Sequence, residues 1–143
     1  MRARSIPLLV LSAALVAPAA GAEDPLANNR IEFRVRTHSD RGLVRCGLFN
    51  RNGWLRSIVR GTSVKIQGGT AVCVFRGIPR GTYAISAFHD ENRNGKLDMS
   101  AFGWPSEDYC MTRGARGRIK PPGFDAAKFD YPGGVSRFDA QMD

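Results

Sequence analysis

Short runs of alternating apolar and polar residues, each ended by a turn signal, constrain the fold of this chain most strongly. In IEFRVR, the side chains of Ile31, Phe33 and Val35 fall on one face, as in a half-buried β-strand. Comparable runs lie at 43–49, 64–66, 70–75, 82–88 and 135–142, while 54–59 fits either a short strand or an irregular segment. No amphipathic helix pattern of ten or more residues appears, so the sequence predicts an all-β protein.

Turn residues separate these runs at short intervals, as in HSDRG, NRNG and GIPRG. About seven short strands at this spacing predict a single antiparallel, immunoglobulin-like sandwich over residues 23–143. Residues 89–134 depart from the pattern, because prolines and polar turn residues leave them without regular periodicity. They predict one long irregular loop region, with room for a helical turn within 121–129. A loop of this length in a small domain is functional or needs something to order it.

Residues 1–22 predict a secretory signal peptide. Arginines precede an apolar run from Ile6 to Val16, and Ala20-Gly21-Ala22 fits the small-residue pattern of a cleavage site. The apolar run is too short to cross a bilayer, and no other long apolar stretch follows, so we expect no membrane span. Cleavage after Ala22 would leave 121 residues in the periplasm or outside the cell.

Removal of that segment leaves 19 basic and 13 acidic residues, a net charge of about +6. The positive charges are scattered, and several alternate with apolar residues as on solvated strand faces. A nucleic-acid interface needs clustered charge with interleaved aromatic residues, so we expect no nucleic-acid partner. A loose attraction to anionic surfaces or glycans stays open.

Three cysteines, Cys46, Cys73 and Cys110, would meet an oxidising compartment after export, which favours one disulfide and one free thiol. Cys46 and Cys73 lie in strand-like runs, and we favour a bridge between them. The other two pairings and three free thiols stay open, because the sequence alone does not fix the connectivity.

The run HDENRNGKLD has the spacing of the first part of a calcium-binding loop. Asp90, Asn92 and Asn94 take positions 1, 3 and 5, followed by a glycine where the chain must turn sharply. The predicted oxygen ligands also include the Lys96 carbonyl and Asp98.

This loop is not a complete EF-hand, because Ala101 stands where the bidentate glutamate belongs and no helix pattern flanks the loop. A later carboxylate, Glu107 or Asp108, would have to close a calcium site. With so few carboxylates we expect weak affinity, with a Kd of about 10⁻⁴–10⁻³ M. The alternative is a plain turn, in which Asp and Asn side chains cap their own backbone.

A hydrolase is the alternative function. His89 lies close in sequence to several carboxylates and could act as a general base with Asp98 or Glu107. Polar loops bring such residues together by chance, and a histidine at a strand end is more often structural. Cys110 would need a base beside it to act as a nucleophile, and the chain has only 2 histidines.

Three stretches carry a resemblance to a known family: GIPRGTYAISAFHDENRNGKLD, FGWPSE and PPGFDAAKF. They resemble the exported bacterial domain-of-unknown-function family numbered 2141, and the similarity extends from about Ile31 to Met142. The resemblance implies a signal peptide and a transthyretin-like β-sandwich, but no activity. The family pattern falls here on His89, Asp90, Glu91, Asn92, Asn94, Gly95, Leu97, Asp98, Gly103, Pro105, Glu107, Pro122, Phe124 and Ala127. The chain departs from it at Cys110 and Thr112, and at Trp104, where the family often has an aliphatic residue.

These observations favour an exported, non-enzymatic β-sandwich module of the bacterial cell envelope. We expect the segment Asp90–Asp98 to order the long loop, with calcium or without it, and Trp104 to contact a partner. The partner would be an envelope protein, a glycan or a second copy of the chain.

Overall fold

The chain forms eight β-strands and almost no helix in a computed structural model that describes residue 21 and residues 23–143. The predicted signal peptide lies outside the described residues apart from Gly21. The strands are β1 Arg30–Arg36, β2 Leu43–Phe49, β3 Arg60–Val64, β4 Thr70–Arg76, β5 Gly81–Asp90, β6 Tyr109–Met111, β7 Phe129–Tyr131 and β8 Val135–Gln141. A 3₁₀ turn lies at Thr112–Gly114, and a single-turn helix, α1, at Phe124–Ala127. Within the described part of the chain, no helix is both long enough and apolar enough to span a bilayer.

The strands form two facing sheets. Sheet A has the order β4-β1-β8, and sheet B has the order β3-β2-β5-β6, with β7 paired to the start of β5. This arrangement confirms the predicted all-β sandwich. A disulfide between Cys46 of β2 and Cys73 of β4 joins the two sheets, which confirms the favoured pairing.

Alternation along each strand sends one set of side chains into the space between the sheets. Ile31, Phe33 and Val35 of β1 are fully buried there. They belong to one core cluster with Val44, Leu48, Ile66, Phe75, Ile78, Ile85, Tyr131 and Met142. Burial of each such side chain stabilises the fold by roughly 1.5–3 kcal/mol, so this layer supplies much of the free energy that holds the sheets together.

The direction of β8 differs from the predicted antiparallel arrangement, because β8 runs parallel to β1. Both strands start at the same end of sheet A, where hydrogen bonds at Asn29 and Arg30 connect them to Gly134. The Arg30 N–H donates to the Gly134 carbonyl at 2.8 Å, and the Gly134 N–H donates to Asn29 Oδ1 at 2.8 Å. β8 arrives from β7 of the other sheet, so no hairpin sets its direction.

Three further elements differ from the sequence prediction. β3 lies ahead of the run predicted at 64–66, and residues 54–59 form turns. The region 89–134 is less irregular than predicted, since it contains β6, β7 and α1, the last of which is the predicted helical turn. β6 and β7 have 3 residues each, too few for an alternation to be recognised in the sequence.

A second, smaller cluster packs on the outer face of sheet B. Ala84 of β5 and Ala127 of α1 are fully buried in it. Trp54 packs against them, and its indole N–H donates to the Pro122 carbonyl at 2.8 Å. Its ring also stands edge-on to Phe124 at 5.9 Å. The long region therefore folds back over part of sheet B.

Candidate functional site

Asp90, at the end of β5, is fully buried and anchors the loop that follows it. Its carboxylate accepts hydrogen bonds from Arg45 Nε and from the backbone N–H groups of Asn94 and Gly95. Burial alone would raise the pKa of Asp90, but these hydrogen bonds and the Arg45 charge hold that pKa below its ordinary value. Asp90 is therefore ionised at neutral pH and ties the loop to β2.

Asn92, Asn94 and Asp98 close the loop on itself. The Asn92 side-chain amide donates to Asp98 Oδ2 at 2.5 Å, and the Asn94 amide donates to Asp98 Oδ1 at 2.7 Å. The amide oxygens accept backbone N–H groups, from Asn94 to Asn92 Oδ1 and from Lys96 to Asn94 Oδ1. Gly95 has a φ of 85°, which glycine adopts without strain, so the chain makes its sharp turn at the predicted position.

Glu107 ties the entry of this loop to its exit. Its Oε1 accepts the Glu91 N–H at 3.2 Å, and its Oε2 accepts the Asp98 N–H at 3.1 Å. The Ser106 N–H also donates to the Asp98 carbonyl at 2.8 Å. The structure thus brings together the predicted residues Asp90, Asn92, Asn94, Lys96, Asp98 and Glu107 in one hydrogen-bonded loop.

These hydrogen bonds bear on the predicted calcium site. Two amide NH₂ groups, rather than amide oxygens, face Asp98, and the Asp90 carboxylate is shared among N–H donors that include the Arg45 guanidinium. Calcium takes six to eight oxygen ligands. The side-chain amides of Asn92 and Asn94 would therefore have to flip before their oxygens could serve as ligands. Among the described residues, no group of three His, Cys, Asp or Glu side chains is placed to hold a metal ion. Calcium binding stays a prediction, while the side chains as arranged fit a hydrogen-bonded turn.

His89 is buried in the scaffold with 1 % of its surface exposed. Its Nε2–H donates to the Arg41 carbonyl at 2.6 Å, and its backbone N–H donates to the Asp108 carbonyl at 2.9 Å. Glu91 Oε1 lies 3.8 Å from His89 Nδ1, beyond hydrogen-bond distance. The carboxylates predicted to pair with this histidine bond to the loop instead, so His89 is not placed to act with them as a general base.

Cys110, the remaining thiol, is buried on the inner face of β6. It lies beside Ala87 of β5 and belongs to the main core cluster. Burial raises the pKa of this thiol to about 12, because a thiolate would not be solvated there. Such a thiol serves packing rather than nucleophilic chemistry.

The outer face of sheet B carries an apolar groove beside the loop. Gly61, Gly47 and Ser86 lie side by side across β3, β2 and β5. A Cβ on Gly47 would come within 2.8 Å of the Phe49 ring, and one on Gly61 within 2.9 Å of Ile58. The two glycines therefore let Phe49 and Ile58 lie close over the sheet and give the groove an apolar floor.

Part of this groove is a cavity of about 280 Å³ whose floor includes Ser86 and Phe88. Its walls come mainly from the long 89–134 region, with Leu55 from the loop before β3, and Lys120 is the charged residue in the lining. A second cavity of about 660 Å³ adjoins the first and shares Leu55, Ser86, Phe88 and Leu97 with it. We call this surface the sheet B groove and define it by Ser86, Phe88, Leu97, Met99, Trp104 and Ile119.

Trp104 stands at the wall of the sheet B groove and is 48 % exposed. Its turn is fixed by Ser100, whose N–H donates to the Trp104 carbonyl at 2.7 Å and whose Oγ accepts the Trp104 N–H at 3.3 Å. A β-bridge between Met99 and Pro105 closes the base of the turn. Since Asp98 directly precedes this bridge, the polar loop leads directly into the turn that carries Trp104.

Two parts of this site were not predicted from the sequence. Arg45 resembled the other solvated arginines, yet it is the charged partner of Asp90. The apolar groove was also not predicted, because its lining residues come from segments that are far apart in the sequence. The available signal was the outward face of β2, where Arg45 and Gly47 stand in a strand that is otherwise apolar.

A family profile described as an uncharacterized protein conserved in bacteria matches residues 35–138. The matched range covers most of the sequence and includes the polar loop, Trp104 and strands of both sheets. No curated protein and no solved structure matches the chain.

Proposed function

We propose that this chain, which belongs to the DUF2141 family of uncharacterized proteins conserved in bacteria, is a non-enzymatic binding module of the bacterial cell envelope. It is exported by its N-terminal segment and takes up an apolar group of its partner in the sheet B groove. The loop Asp90–Asp98 serves as a scaffold that holds Trp104 at the wall of the groove.

Export is supported by two independent features. Residues 1–22 have the charge, the apolar run and the small residues of a secretory signal peptide. The Cys46–Cys73 disulfide is a bond that persists in oxidising compartments. N-terminal sequencing of the chain recovered from the periplasm or medium is expected to begin at Glu23; a chain that keeps Met1 and stays in the cytoplasm would contradict export.

The apolar cavity is the observation that carries the binding role. Ligand sites are concave and mostly apolar, with a few polar groups that orient the ligand. Here Ser86 and Lys120 are among the few polar side chains in the lining. A glycan would leave many hydroxyls without partners in such a cavity, which costs free energy. The lining therefore favours an apolar ligand or side chain over a sugar.

The packing of the two candidate catalytic groups also supports binding over hydrolysis. His89 uses its ring N–H on a backbone carbonyl, and the Cys110 thiol is buried in the core. Neither side chain lines the 280 Å³ cavity.

Fluorescence titration with anilinonaphthalene sulfonate, an aromatic probe with one negative charge, tests whether the groove binds apolar groups. We expect saturable binding by the folded chain. Ser86→Phe fills the floor of the cavity and should weaken binding by at least about tenfold, a loss of about 1.4 kcal/mol. Trp104→Ala removes a wall of the groove without touching its floor and should weaken binding in the same direction.

Val72→Phe is the matched control, because it enlarges a partly exposed residue on the outer face of sheet A. It should leave the affinity for the probe unchanged, and melting curves should show that each variant is folded. Probe binding that is insensitive to both groove variants would refute the proposed site.

A further inference from the structure

Two strongly exposed apolar side chains belong to the segments that form one side of the sheet B groove. Phe102 and Ile119 are each 88 % exposed. Ile119 lines the same cavity as Trp104, and Phe102 directly precedes Gly103, another residue of that lining. Large apolar residues exposed together mark a surface that is covered when the protein functions.

The segment that carries Ile119 is strongly basic. Residues 113–120, RGARGRIK, include Arg113, Arg116, Arg118 and Lys120 and no acidic residue. Arg116 pairs with Asp143 at 2.8 Å, whereas Lys120 lines the cavity. The mouth of the groove therefore combines projecting apolar side chains with a positively charged rim.

We infer that this mouth docks on the surface of an anionic phospholipid membrane, an inference that rests on the proposed function. Phe102 and Ile119 enter the membrane interface, and an acyl chain of one lipid occupies the cavity. The lipid phosphate meets the positive charges of Arg118 and Lys120. Apolar side chains at the interface beside basic residues are the combination that attaches peripheral proteins to anionic membranes.

The outer face of sheet A lacks this combination. Several of its arginines are paired with Glu32 or Asp139, and its exposed large apolar side chains are Val72 and Val135. Charge alone gives an attraction that salt screens, whereas burial of Phe102 and Ile119 in a membrane would persist in salt. We therefore expect the mouth of the sheet B groove to bind anionic membranes and the outer face of sheet A not to bind them.

Co-sedimentation of the exported, processed chain with vesicles tests the inference. Vesicles of phosphatidylcholine mixed with phosphatidylglycerol should bind the chain, and pure phosphatidylcholine vesicles should bind it at least about fivefold more weakly. Phe102→Ser combined with Ile119→Ser should weaken binding to the anionic vesicles about tenfold. Arg118→Gln combined with Lys120→Gln should weaken it roughly twenty-fivefold, or fivefold for each charge.

Arg34→Gln combined with Arg76→Gln is the matched control, because it removes the same charge from the outer face of sheet A. This pair should change vesicle binding little. Absence of binding to anionic vesicles, an equal loss from the control pair, or no loss from the Phe102 and Ile119 variant would each overturn the inference. If vesicles fail to bind while the aromatic probe still occupies the groove, the proposed function survives and only membrane docking is refuted.

Discussion

The two outer faces of this sandwich arise from the same alternating pattern, yet they differ in what covers them. On sheet A, the outward side chains of β1 are charged, and Glu32 accepts hydrogen bonds from Arg30 and Arg137, each at 2.8 Å. On sheet B, the corresponding outward positions include Gly47 and Ser86, and the region 89–134 packs over the neighbouring Ala84.

A ligand site can form on only one of these two kinds of face. A face of charged side chains is satisfied by water and by its own ion pairs, so nothing needs to cover it. A face of small and apolar residues is not satisfied by water, and an incomplete cover leaves an apolar groove. Variants can distinguish the interactions that hold the two sheets together from those that are particular to each outer face.

Loss of the bond between the sheets should have the largest effect, because it acts on both faces at once. Cys46→Ala combined with Cys73→Ala opens a connection between residues that are 27 positions apart. The chain-entropy cost of the freed loop predicts a loss of about 3–4 kcal/mol in the free energy of unfolding. Urea unfolding measures it, with Cys110→Ala as a control that removes a thiol but no bond. A double variant as stable as this control would contradict the structural role of the disulfide.

Loss of the buried anchor should have the next largest effect and should act on sheet B. Asp90→Ala leaves Arg45 and two backbone N–H groups without their acceptor, which predicts a loss of about 2–3 kcal/mol because Arg45 is partly solvated. Trp104 fluorescence should also change, since the loop that places it is released. Asp139→Ala on sheet A serves as the control, and an equal loss in that variant would remove the distinction between the faces.

The same anchor predicts a pH dependence. The pKa of folded Asp90 lies below its ordinary value, so the carboxylate stabilises the fold fully above the unfolded pKa of about 4. This contribution is lost as the pH falls through the lowered pKa of the folded state. Chemical unfolding of the native chain and of Asp90→Asn, compared across this range, should converge at the acid end. Parallel curves at all pH values would argue against an ionised Asp90.

A surface carboxylate on sheet A should matter much less. Arg30 and then Arg137 lower the pKa of Glu32, yet all three side chains reach solvent. Glu32→Gln should therefore lower the Tm slightly at low salt and leave it unchanged at high salt, because salt screens exposed pairs. A loss that persists in high salt would show that this face is less solvated than its exposure indicates.

Calcium should have the smallest effect if hydrogen bonds alone close the loop. A site with a Kd of about 10⁻³ M would add about 1.4 kcal/mol of stability at ten times that concentration. With the loop closed by hydrogen bonds alone, the Tm should neither rise with calcium nor fall with chelator, because the Asp90 carboxylate is already occupied by N–H donors. Calorimetric titration gives the second readout. Heat of binding, together with a Tm rise that Asp98→Ala abolishes, would establish the calcium site instead.

The strands were predictable wherever burial of one face required an alternation of apolar and polar residues in the sequence. The runs at 31–36, 43–49, 70–75 and 82–88 each became a strand, because one face of each strand had to be apolar. β6 and β7 were not predicted, because an alternating pattern cannot be recognised in only three residues. The parallel direction of β8 was also missed, because it depends on contacts of Asn29 and Gly134 that are distant in sequence.

The candidate site was predictable only in its local part. Spacing identified the polar loop and suggested that Glu107 would reach it, because neighbouring oxygen side chains and a glycine produce a compact turn. The partner of Asp90 and the groove depend on which strands lie side by side. Arg45 and Asp90 meet through the pairing of β2 with β5, and no local pattern specifies that pairing.

The parallel pairing of β1 and β8 has a consequence for the order of folding. β1 is the central strand of sheet A, and its contacts with β8 join residues 105 positions apart, such as Glu32 and Arg137. Sheet A is therefore not complete until β8 has been synthesised, and closing so large a loop is slow. If the chain is exported as proposed, sheet A stays incomplete until β8 has also crossed the membrane.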